Sequence, residues 1–586
     1  MRRLFRFLPP VPAAPPVVQT ERAPTPRWVD LLLFAVVVAI GYGIVRATAE
    51  WREPIPPTLA IDLSPWQLPR YAGLSTLRMA FAYFLSLGFS VAYARVAAGS
   101  RAAERVMMPL LDILQSIPIL SFMPGVVLGL AALLPGRTLG LELAAIVLIF
   151  TSQAWNLAFS FHQSLITIPT QLSEASRVYR LAPWQRFTRL ELPFGAIGLI
   201  ANSMMSWAGG WFFLMASEQF TLGAKDLRLP GLGSYLAHAA DLGDTRALIL
   251  GLATLVTVIL LLDQAVWRPL VAWSERFKVE QSSGADAVTS RVLDALRGSA
   301  LMARVRRALS PGLHRFDDWL SLVTEQSAKQ MLDSKRVNQR RLLGLAIGAA
   351  VLAGTVWGLL AALHALASLN GSDWHLPARS AGATFVRTTV ALLIALGWTV
   401  PVGVAIGMNP RWGQRAAPIV QTIASVPATA VFPVLLLLLL RLPGGLNVAA
   451  VALMLLGTQW YVLFNVIAGA SAIPSDLREA AATFRLTRWQ RWRTLIMPAI
   501  FPYLVTGMIT ATGGAWNASI VSEYVGFGGH KVSTEGLGAV IAEAADNRNG
   551  RLLLAGTLVM AGVVIAMNRL FWRRLYRLAE ARYRLE

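Results

Sequence analysis

The chain has 586 residues, of which 55% are hydrophobic and only 15% are charged, and its formal net charge is +21. This composition excludes an ordinary soluble protein, because repeated runs of about 20 apolar residues match the hydrocarbon thickness of a bilayer. The absence of cysteine excludes disulfides and thiolate metal sites. An all-α, polytopic membrane protein is therefore predicted.

The positive charge lies in loops and tails between the apolar runs. Such a distribution is typical of cytoplasmic loops that fix membrane orientation, so we expect the lipid bilayer and no nucleic acid as a partner. The histidines are scattered without ligand spacing, and no metal site is predicted.

Residues 1–28 are basic and proline-rich and are predicted to form a cytoplasmic tail. The first apolar run, 29–45, ends near Ala47-Thr48-Ala49, which resembles a signal-peptidase site. The run is longer than the roughly 7–15 residues of a signal sequence, and Arg46 interrupts the approach to the cleavage site. We interpret it as a retained span.

Apolar runs then recur in two sets of six, which predicts about 12 transmembrane helices. The first repeat, 29–268, holds runs at 29–45, 73–97, 109–134, 141–161, 193–217 and 246–267. The second repeat, 342–572, holds runs at 342–364, 384–408, 418–440, 447–469, 499–522 and 552–571. A cytoplasmic linker is predicted at 269–341 and a basic cytoplasmic tail at 573–586.

Arginine is concentrated in alternate loops. With the N-terminus inside, the inside loops contain Arg101 and Arg105, then the arginines of 177–189, and in the second repeat those of 411–415 and 478–493. The remaining loops carry fewer, as the positive-inside rule requires. Both termini are therefore expected in the cytoplasm, and segments 50–72 and 365–383 outside.

One arginine-rich loop occurs twice. Residues 174–193 read EASRVYRLAPWQRFTRLELP, and residues 479–498 read EAAATFRLTRWQRWRTLIMP. Matching residues 305 positions apart are Glu174/Glu479, Trp184/Trp489, Gln185/Gln490, Arg186/Arg491 and Pro193/Pro498. Gly231-Leu-Gly233 matches Gly536-Leu-Gly538, again 305 positions apart, and Ser116-Ile-Pro118 matches Ser425-Val-Pro427, 309 positions apart. Two parallel six-helix copies of one fold are predicted, related by a pseudo-twofold axis.

The repeated loop resembles the EAA motif of ABC-importer permeases. The resemblance covers about 75–268 and 384–572 and implies a type I importer fold with two permease domains in one chain. It implies that each loop is a coupling helix that docks on a separate ATPase subunit. The coupling residues that it implies are Glu174, Ala175, Arg180, Trp184, Gln185, Arg186, Pro193, Glu479, Ala480, Arg485, Trp489, Gln490, Arg491 and Pro498.

The loop departs from the family pattern at one place, because Arg180 and Arg485 replace the usual glycine. A glycine there suits a left-handed residue at a helix end, so we expect a turn of different shape. We also expect Thr170 and Ser475 to cap the first short helix. A merely orienting basic loop would explain the arginines but not the recurring Glu, Trp-Gln-Arg and Pro.

Two ATPase subunits and a periplasmic substrate-binding protein are implied as partners in a bacterial inner membrane. No nucleotide site is predicted in this chain, because Gly528-Gly529-His530-Lys531 lacks the spacing of a phosphate-binding loop. ATP and magnesium would be bound by the partner ATPase, and the chain itself is expected to be no enzyme. The Ser-Ile/Val-Pro, Trp-Gln-Arg and Gly-Leu-Gly elements most resemble the branch for nitrate, sulfonates, taurine and bicarbonate.

Polar side chains inside spans are costly in lipid and are candidates for a transport path. The candidates are Gln153, Asn156, Asn202, Ser206, Trp211, Glu218, Thr458, Gln459, Trp516, Asn517 and Glu523. For any one of them, hydrogen bonding between packed helices is the alternative role. As a set they predict a route between the halves, lined by the fourth and fifth spans.

Two alternatives from other classes remain open, a twelve-span secondary transporter and a membrane scaffold. The former would need ionisable residues for ion coupling and a basic signature loop after the second span, whereas GSRAAERVMM is short. Within the linker, Val288, Val292, Leu296, Met302, Val305 and Leu309 recur at helical spacing among arginines. That pattern predicts an amphipathic helix, either on the inner leaflet or packed on the protein itself.

Overall fold

The computed structural model describes residues 61–277, 290–330 and 368–583, apart from 136, 223, 224, 528 and 529, together with scattered positions in 31–35 and 349–367. The described chain is helical except for two short antiparallel hairpins, which confirms the all-α class. The predicted tail 1–28 and the predicted spans 29–45 and 342–364 lie wholly or largely outside the described residues.

The first half contains helices numbered in chain order. They are α1 (Leu68–Ala98), α2 (Arg101–Ser116), α3 (Ile119–Leu133), α4 (Leu139–Ile166), α5 (Thr170–Val178), α6 (Pro183–Arg186), α7 (Leu192–Glu218), α8 (Leu232–Asp241), α9 (Thr245–Leu262) and α10 (Arg268–Ser274). Strands β1 (Thr221–Leu222) and β2 (Lys225–Asp226) form a hairpin after α7. The linker contributes α11 (Arg291–Gly298) and α12 (Ala300–Gln330).

The second half repeats this order. Its helices are α13 (Gly371–Met408), α14 (Pro410–Ala424), α15 (Ala428–Leu439), α16 (Gly445–Ser471), α17 (Ser475–Thr483), α18 (Arg488–Arg491), α19 (Met497–Ser522), α20 (Leu537–Asp546), α21 (Gly550–Met567) and α22 (Arg573–Tyr583). Strands β3 (Tyr524–Phe527) and β4 (His530–Ser533) follow α19. Even irregular π-helical turns recur 305 positions apart, at Phe187–Glu191 and Trp492–Ile496, and at Asp263–Trp267 and Asn568–Trp572. Because such turns are rare, their recurrence supports two copies of one architecture.

Seven helical stretches in the described residues are long and apolar enough to cross a membrane. They cover the predicted spans 73–97, 141–161, 246–267, 384–408, 447–469, 499–522 and 552–571, and α7 covers 193–217. The predicted continuous spans 109–134 and 418–440 are corrected, because each divides into two helices at the Ser-Ile/Val-Pro element. Ile117 is extended ahead of Pro118, as steric clash with a proline ring requires, and the short apolar helix begins only after the proline.

The two halves interlock through these short apolar helices. Helix α3 packs on α19, α20 and α21 of the second half, and α15 packs on α7, α8 and α9 of the first. One buried apolar cluster joins Leu120 and Met123 to Trp516 and Ile541. The halves therefore share a continuous hydrophobic core.

The predicted basic C-terminal tail begins with a helix. Most of its described part is helix α22, which packs on α19 and fully buries Ala579. The second half thus extends beyond the predicted boundary at residue 572.

Candidate functional site

Each repeated loop folds as two short helices, α5–α6 in the first half and α17–α18 in the second. The arginines between them are left-handed, with φ of 48° at Arg180 and 51° at Arg485. The amide after each arginine donates to a carbonyl five positions earlier, over 3.1 Å in both copies (Leu181 to Ser176, Leu486 to Ala481). This is the helix end that glycine normally favours. The expected change of turn shape is therefore wrong, and arginine adopts the glycine conformation at a cost of about 1–2 kcal/mol.

The expected caps at Thr170 and Ser475 are also wrong. Pro169 and Pro474 occupy the cap positions, and neither helix start has a capping bond from a side chain. A hydroxyl caps a helix from the extended residue before the first turn, whereas Thr170 and Ser475 are already the first helical residues. Asp476 does lie in the first turn of α17, where a negative charge is favourable.

The recurring glutamine closes the start of the second short helix. Gln490 Oε1 accepts a hydrogen bond from the Thr487 amide at 2.9 Å, and Gln185 Oε1 accepts one from the Ala182 amide at 3.2 Å. Thr487 completes the reciprocal pair by accepting from the Gln490 amide at 3.3 Å. The recurring glutamine therefore has a local structural role in closing the start of this helix in both loops.

Both loops present the same exposed features. Glu174 and Glu479 are exposed, and Ala175 and Ala480 behind them are half-buried. At each turn the aromatic ring before the left-handed arginine is 78% exposed (Tyr179 and Phe484). A carboxylate and an aromatic ring are therefore available for a partner on either half.

The two loops differ in how they are anchored. In the first, Glu191 pairs with Arg186 (Nε to Oε1, 3.1 Å) and with Arg95 (Nε to Oε2, 3.2 Å), and Arg95 also donates to the Pro183 carbonyl at 2.7 Å. In the second, Ile496 occupies the position of Glu191. This loop therefore lacks the equivalent of the Arg186–Glu191 pair.

The paired tryptophans also differ. The Trp184 indole N–H donates to Asp317 Oδ1 of linker helix α12 at 2.6 Å. Trp489 instead is 75% exposed. Within the described residues, the linker therefore covers part of the first loop and leaves Trp489 of the second uncovered. Pro193 and Pro498 occupy equivalent places in the first turns of α7 and α19.

Most of the predicted path residues bond within their own half. Asn156 donates to Ser206, and Asn202 donates to Ser160, both between α4 and α7. Fully buried Gln153 contacts the Met79 sulfur at 3.3 Å, Gln459 accepts from Trp398 at 3.1 Å, and Thr458 bonds its own helix. These contacts are those of helix packing, and a role of these residues in a path stays a prediction.

Asn517 is the predicted residue with one hydrogen bond between the halves, and its Nδ2 donates to the Gly513 carbonyl of its own helix. Its Oδ1 accepts from the Leu120 amide at 3.3 Å, at the start of α3. Nearby, the Thr557 hydroxyl donates to the Ser121 carbonyl at 3.1 Å. Trp211 and Trp516 lie in buried clusters that also contain residues of the opposite half.

Glu218 and Glu523 lie at the centres of two buried polar networks. Glu218 pairs with Arg78 at 2.7 Å and accepts from Ser75 and from the Gly233 amide. Glu523 pairs with Arg387 at 2.8 Å and accepts from Thr384 and from the Gly538 amide. Each network ties the end of the fifth-span helix to α1 or α13 and to the following short helix.

Sequence reasoning missed the arginines of these networks. Arg78 also binds Glu142 at 2.7 Å, and Arg387 binds Asn447, which stands 305 positions after Glu142. A usable signal was present, because each arginine lies inside an apolar run, where an ionisable residue needs a partner.

The comparison with known protein families decides the class. The family model for binding-protein-dependent transport system inner membrane components matches residues 75–266 and 399–585. The chain belongs to this family. As a family member it is an integral inner membrane protein with two such domains, and ATPase and binding-protein partners are implied in general. Membership excludes the secondary transporter and the scaffold.

Curated relatives are named for the import or transport of nitrate, taurine, aliphatic sulfonates, bicarbonate and osmoprotectants. The nitrate import permease protein NrtB of Synechococcus elongatus is 25% identical over 189 residues, 31% of this chain and 63% of the relative. The taurine transport system permease protein TauC of Escherichia coli is 24% identical over 261 residues, 41% of this chain and 91% of the relative. The bicarbonate transport system permease protein CmpB of Synechococcus elongatus is 26% identical over 143 residues, 24% of this chain and 50% of the relative.

The matches to the nitrate permeases are partial. The chain spans 63% of the length of NrtB from Synechococcus elongatus and 64% of its counterpart from Leptolyngbya laminosa.

Proposed function

We propose that this chain forms the membrane pathway of a bacterial ABC importer for a small anionic or zwitterionic solute such as nitrate, a sulfonate, taurine or bicarbonate. The solute is delivered by a periplasmic binding protein, and two separate ATPase subunits drive its uptake. The observation that carries the proposal is the pair of coupling loops, which expose a carboxylate and an aromatic ring at matching places.

The proposed orientation places both loops and both termini in the cytoplasm, because arginine is concentrated on that side. The route runs between the halves, near Asn517, Trp211 and Trp516. The solute is held by neutral donors and helix ends rather than by a buried cation. Weak holding of this kind suits a component that leaves selection to the binding protein and releases its cargo inward.

The substrate class is tested by deleting the gene and supplying one nutrient at a time. We expect growth to fail on one of nitrate, taurine, an alkanesulfonate or limiting bicarbonate as sole source. Uptake of that radiolabelled solute should return with the wild-type gene. Unchanged growth and uptake for all four would contradict the proposed substrates while leaving family membership intact.

A further inference from the structure

Linker helix α12 uses one face to contact the first coupling loop. Asp317 accepts the Trp184 indole N–H, and Ser321, one turn further, is buried. Among the helices of the first half, α12 packs on α6. This face is therefore occupied by the protein itself.

A second face of α12 is apolar and exposed. Its exposed members recur at helical spacing: Met302, Val305, Leu309, Phe316, Trp319 and Val323. At 3.6 residues per turn, this stripe lies about a third of a turn from Asp317 and Ser321. The Phe316 and Trp319 rings stack with centroids 6.0 Å apart. The apolar stripe therefore lies beside the face of α12 that contacts the first coupling loop, and its side chains are exposed.

The remaining face of the N-terminal part of α12 is basic. Residues 300–315 contain Arg304, Arg306, Arg307 and Arg315 and no acidic residue. Arg304 and Arg307 are exposed and lie about a third and about half a turn, respectively, from the apolar stripe. An apolar stripe with aromatic rings and a basic polar face is the pattern of a helix lying in a membrane interface.

The linker is also held close to the membrane surface. Helix α11, which precedes α12, packs on α10, and α10 continues the membrane-spanning stretch Thr245–Ser274. Near its middle, at Asp317, α12 contacts the coupling loop, which Arg95 ties to the end of span helix α1. Both attachments are therefore made to the ends of membrane-spanning helices.

We infer that α12 is an in-plane anchor whose apolar stripe inserts into the anionic inner leaflet. Its arginines attract acidic headgroups, since such leaflets carry a negative surface potential. The Trp184–Asp317 bond then connects the leaflet to the first coupling loop, and the described part of the linker makes no such bond to Trp489 of the second loop. This inference rests on the proposed cytoplasmic orientation of the loops.

Site-specific fluorescence tests the anchor directly, because the chain has no native cysteine. Leu309→Cys lies on the stripe, and the matched control Asp318→Cys lies on an exposed part of the same helix. Each full-length variant is labelled and reconstituted without ATPase in vesicles of phosphatidylcholine and phosphatidylglycerol containing a spin-labelled lipid. We expect quenching at position 309 and little at position 318.

Charge removal supplies the second arm. Replacing Arg304 and Arg307 by Gln should lower the ratio of inserted to free helix by about fivefold per arginine. Vesicles of phosphatidylcholine alone should have a similar effect. Equal quenching at both positions, or quenching independent of lipid charge, would overturn the anchor.

A third arm separates the membrane from a protein partner. If position 309 is unquenched in lipid and becomes shielded only when ATPase subunits are added, the stripe is a protein docking face and the inference is wrong. Quenching at position 309 in a preparation that binds no ATPase would instead support the anchor and contradict the proposed coupling function.

Discussion

At the scale of single residues, an arginine organises the end of each half. Arg78 is fully buried between Glu142 and Glu218, whereas Arg387 faces Glu523 and the neutral Asn447. Buried charges are stable only when they are paired, because their desolvation is expensive. A Cβ on Gly231 would lie 2.3 Å from the Glu218 carboxyl carbon. The Gly-Leu-Gly repeat therefore makes room for the carboxylate.

These networks give a graded stability prediction. Arg78→Met leaves two buried carboxylates without a cation, so we expect a loss of about 3–5 kcal/mol. Arg387→Met should cost less, because one carboxylate is involved and the arginine side chain is 11% exposed. Glu142→Gln should be mild, because it reproduces the neutral amide of the second half. Thermal unfolding of the purified variants measures how much stability each substitution removes. A Glu142→Gln protein as unstable as the Arg78→Met protein would contradict the predicted ranking.

The left-handed arginines show where residue-level reasoning from sequence is limited. The presence of arginine at positions 180 and 485 predicted a new turn shape. In the structure, both Arg180 and Arg485 adopt the left-handed backbone conformation that glycine favours. The left-handed conformation costs free energy at one residue. The hydrogen bonds that close the helix end and the packing of the short helices stabilise the whole loop in this conformation. A single unfavourable residue therefore did not decide the geometry.

At the scale of elements, the sequence predicted most helices and the internal repeat, because hydropathy and residue spacing carry that information directly. The repeated loops were found for the same reason. The division of the third spans could have been predicted from Pro118 and Pro427. A proline disfavours helical backbone at the residue before it, so the preceding helix ends there and a new helix begins after the proline. The packing of α3 on the second half and of α15 on the first half could not be predicted, because the local sequence pattern of a helix does not specify which distant helices it contacts.

This packing between the halves predicts that substitutions of two asparagines will have different effects on uptake and stability. Asn517 bonds across the halves to the start of α3, whereas Asn202 bonds within its own half. Asn517→Leu should therefore slow uptake by disturbing the interface that must open. Asn202→Leu should lower thermal stability by about 1 kcal/mol, the value of a lost hydrogen bond, with uptake retained.

Uptake rates and melting temperatures of both variants in the same vesicles make the comparison. Wild-type uptake in Asn517→Leu would mean that this amide is packing only. Slower uptake in Asn202→Leu than in Asn517→Leu would place the route within the first half.

At the scale of the whole molecule, two copies of one plan present unequal surfaces to the cytoplasm. The first repeated loop is held by Glu191 and by the linker, and the second leaves Trp489 exposed. Both nevertheless keep an exposed glutamate at the equivalent place. Coupling through both repeated loops therefore requires an ATPase contact at each loop, made through the carboxylate that the two loops share.

The most direct measurement of that requirement is ATP hydrolysis by the complex affinity-purified from native membranes, comparing wild type with Glu174→Ala plus Glu479→Ala. Each lost charge-assisted contact is worth roughly 1–3 kcal/mol, so single changes should be partly tolerated and the pair should not. We predict normal membrane insertion of the double variant with little recovered ATPase subunit and little hydrolysis. Full recovery of the ATPase with wild-type hydrolysis and uptake in the double variant would contradict the coupling role of the repeated loops.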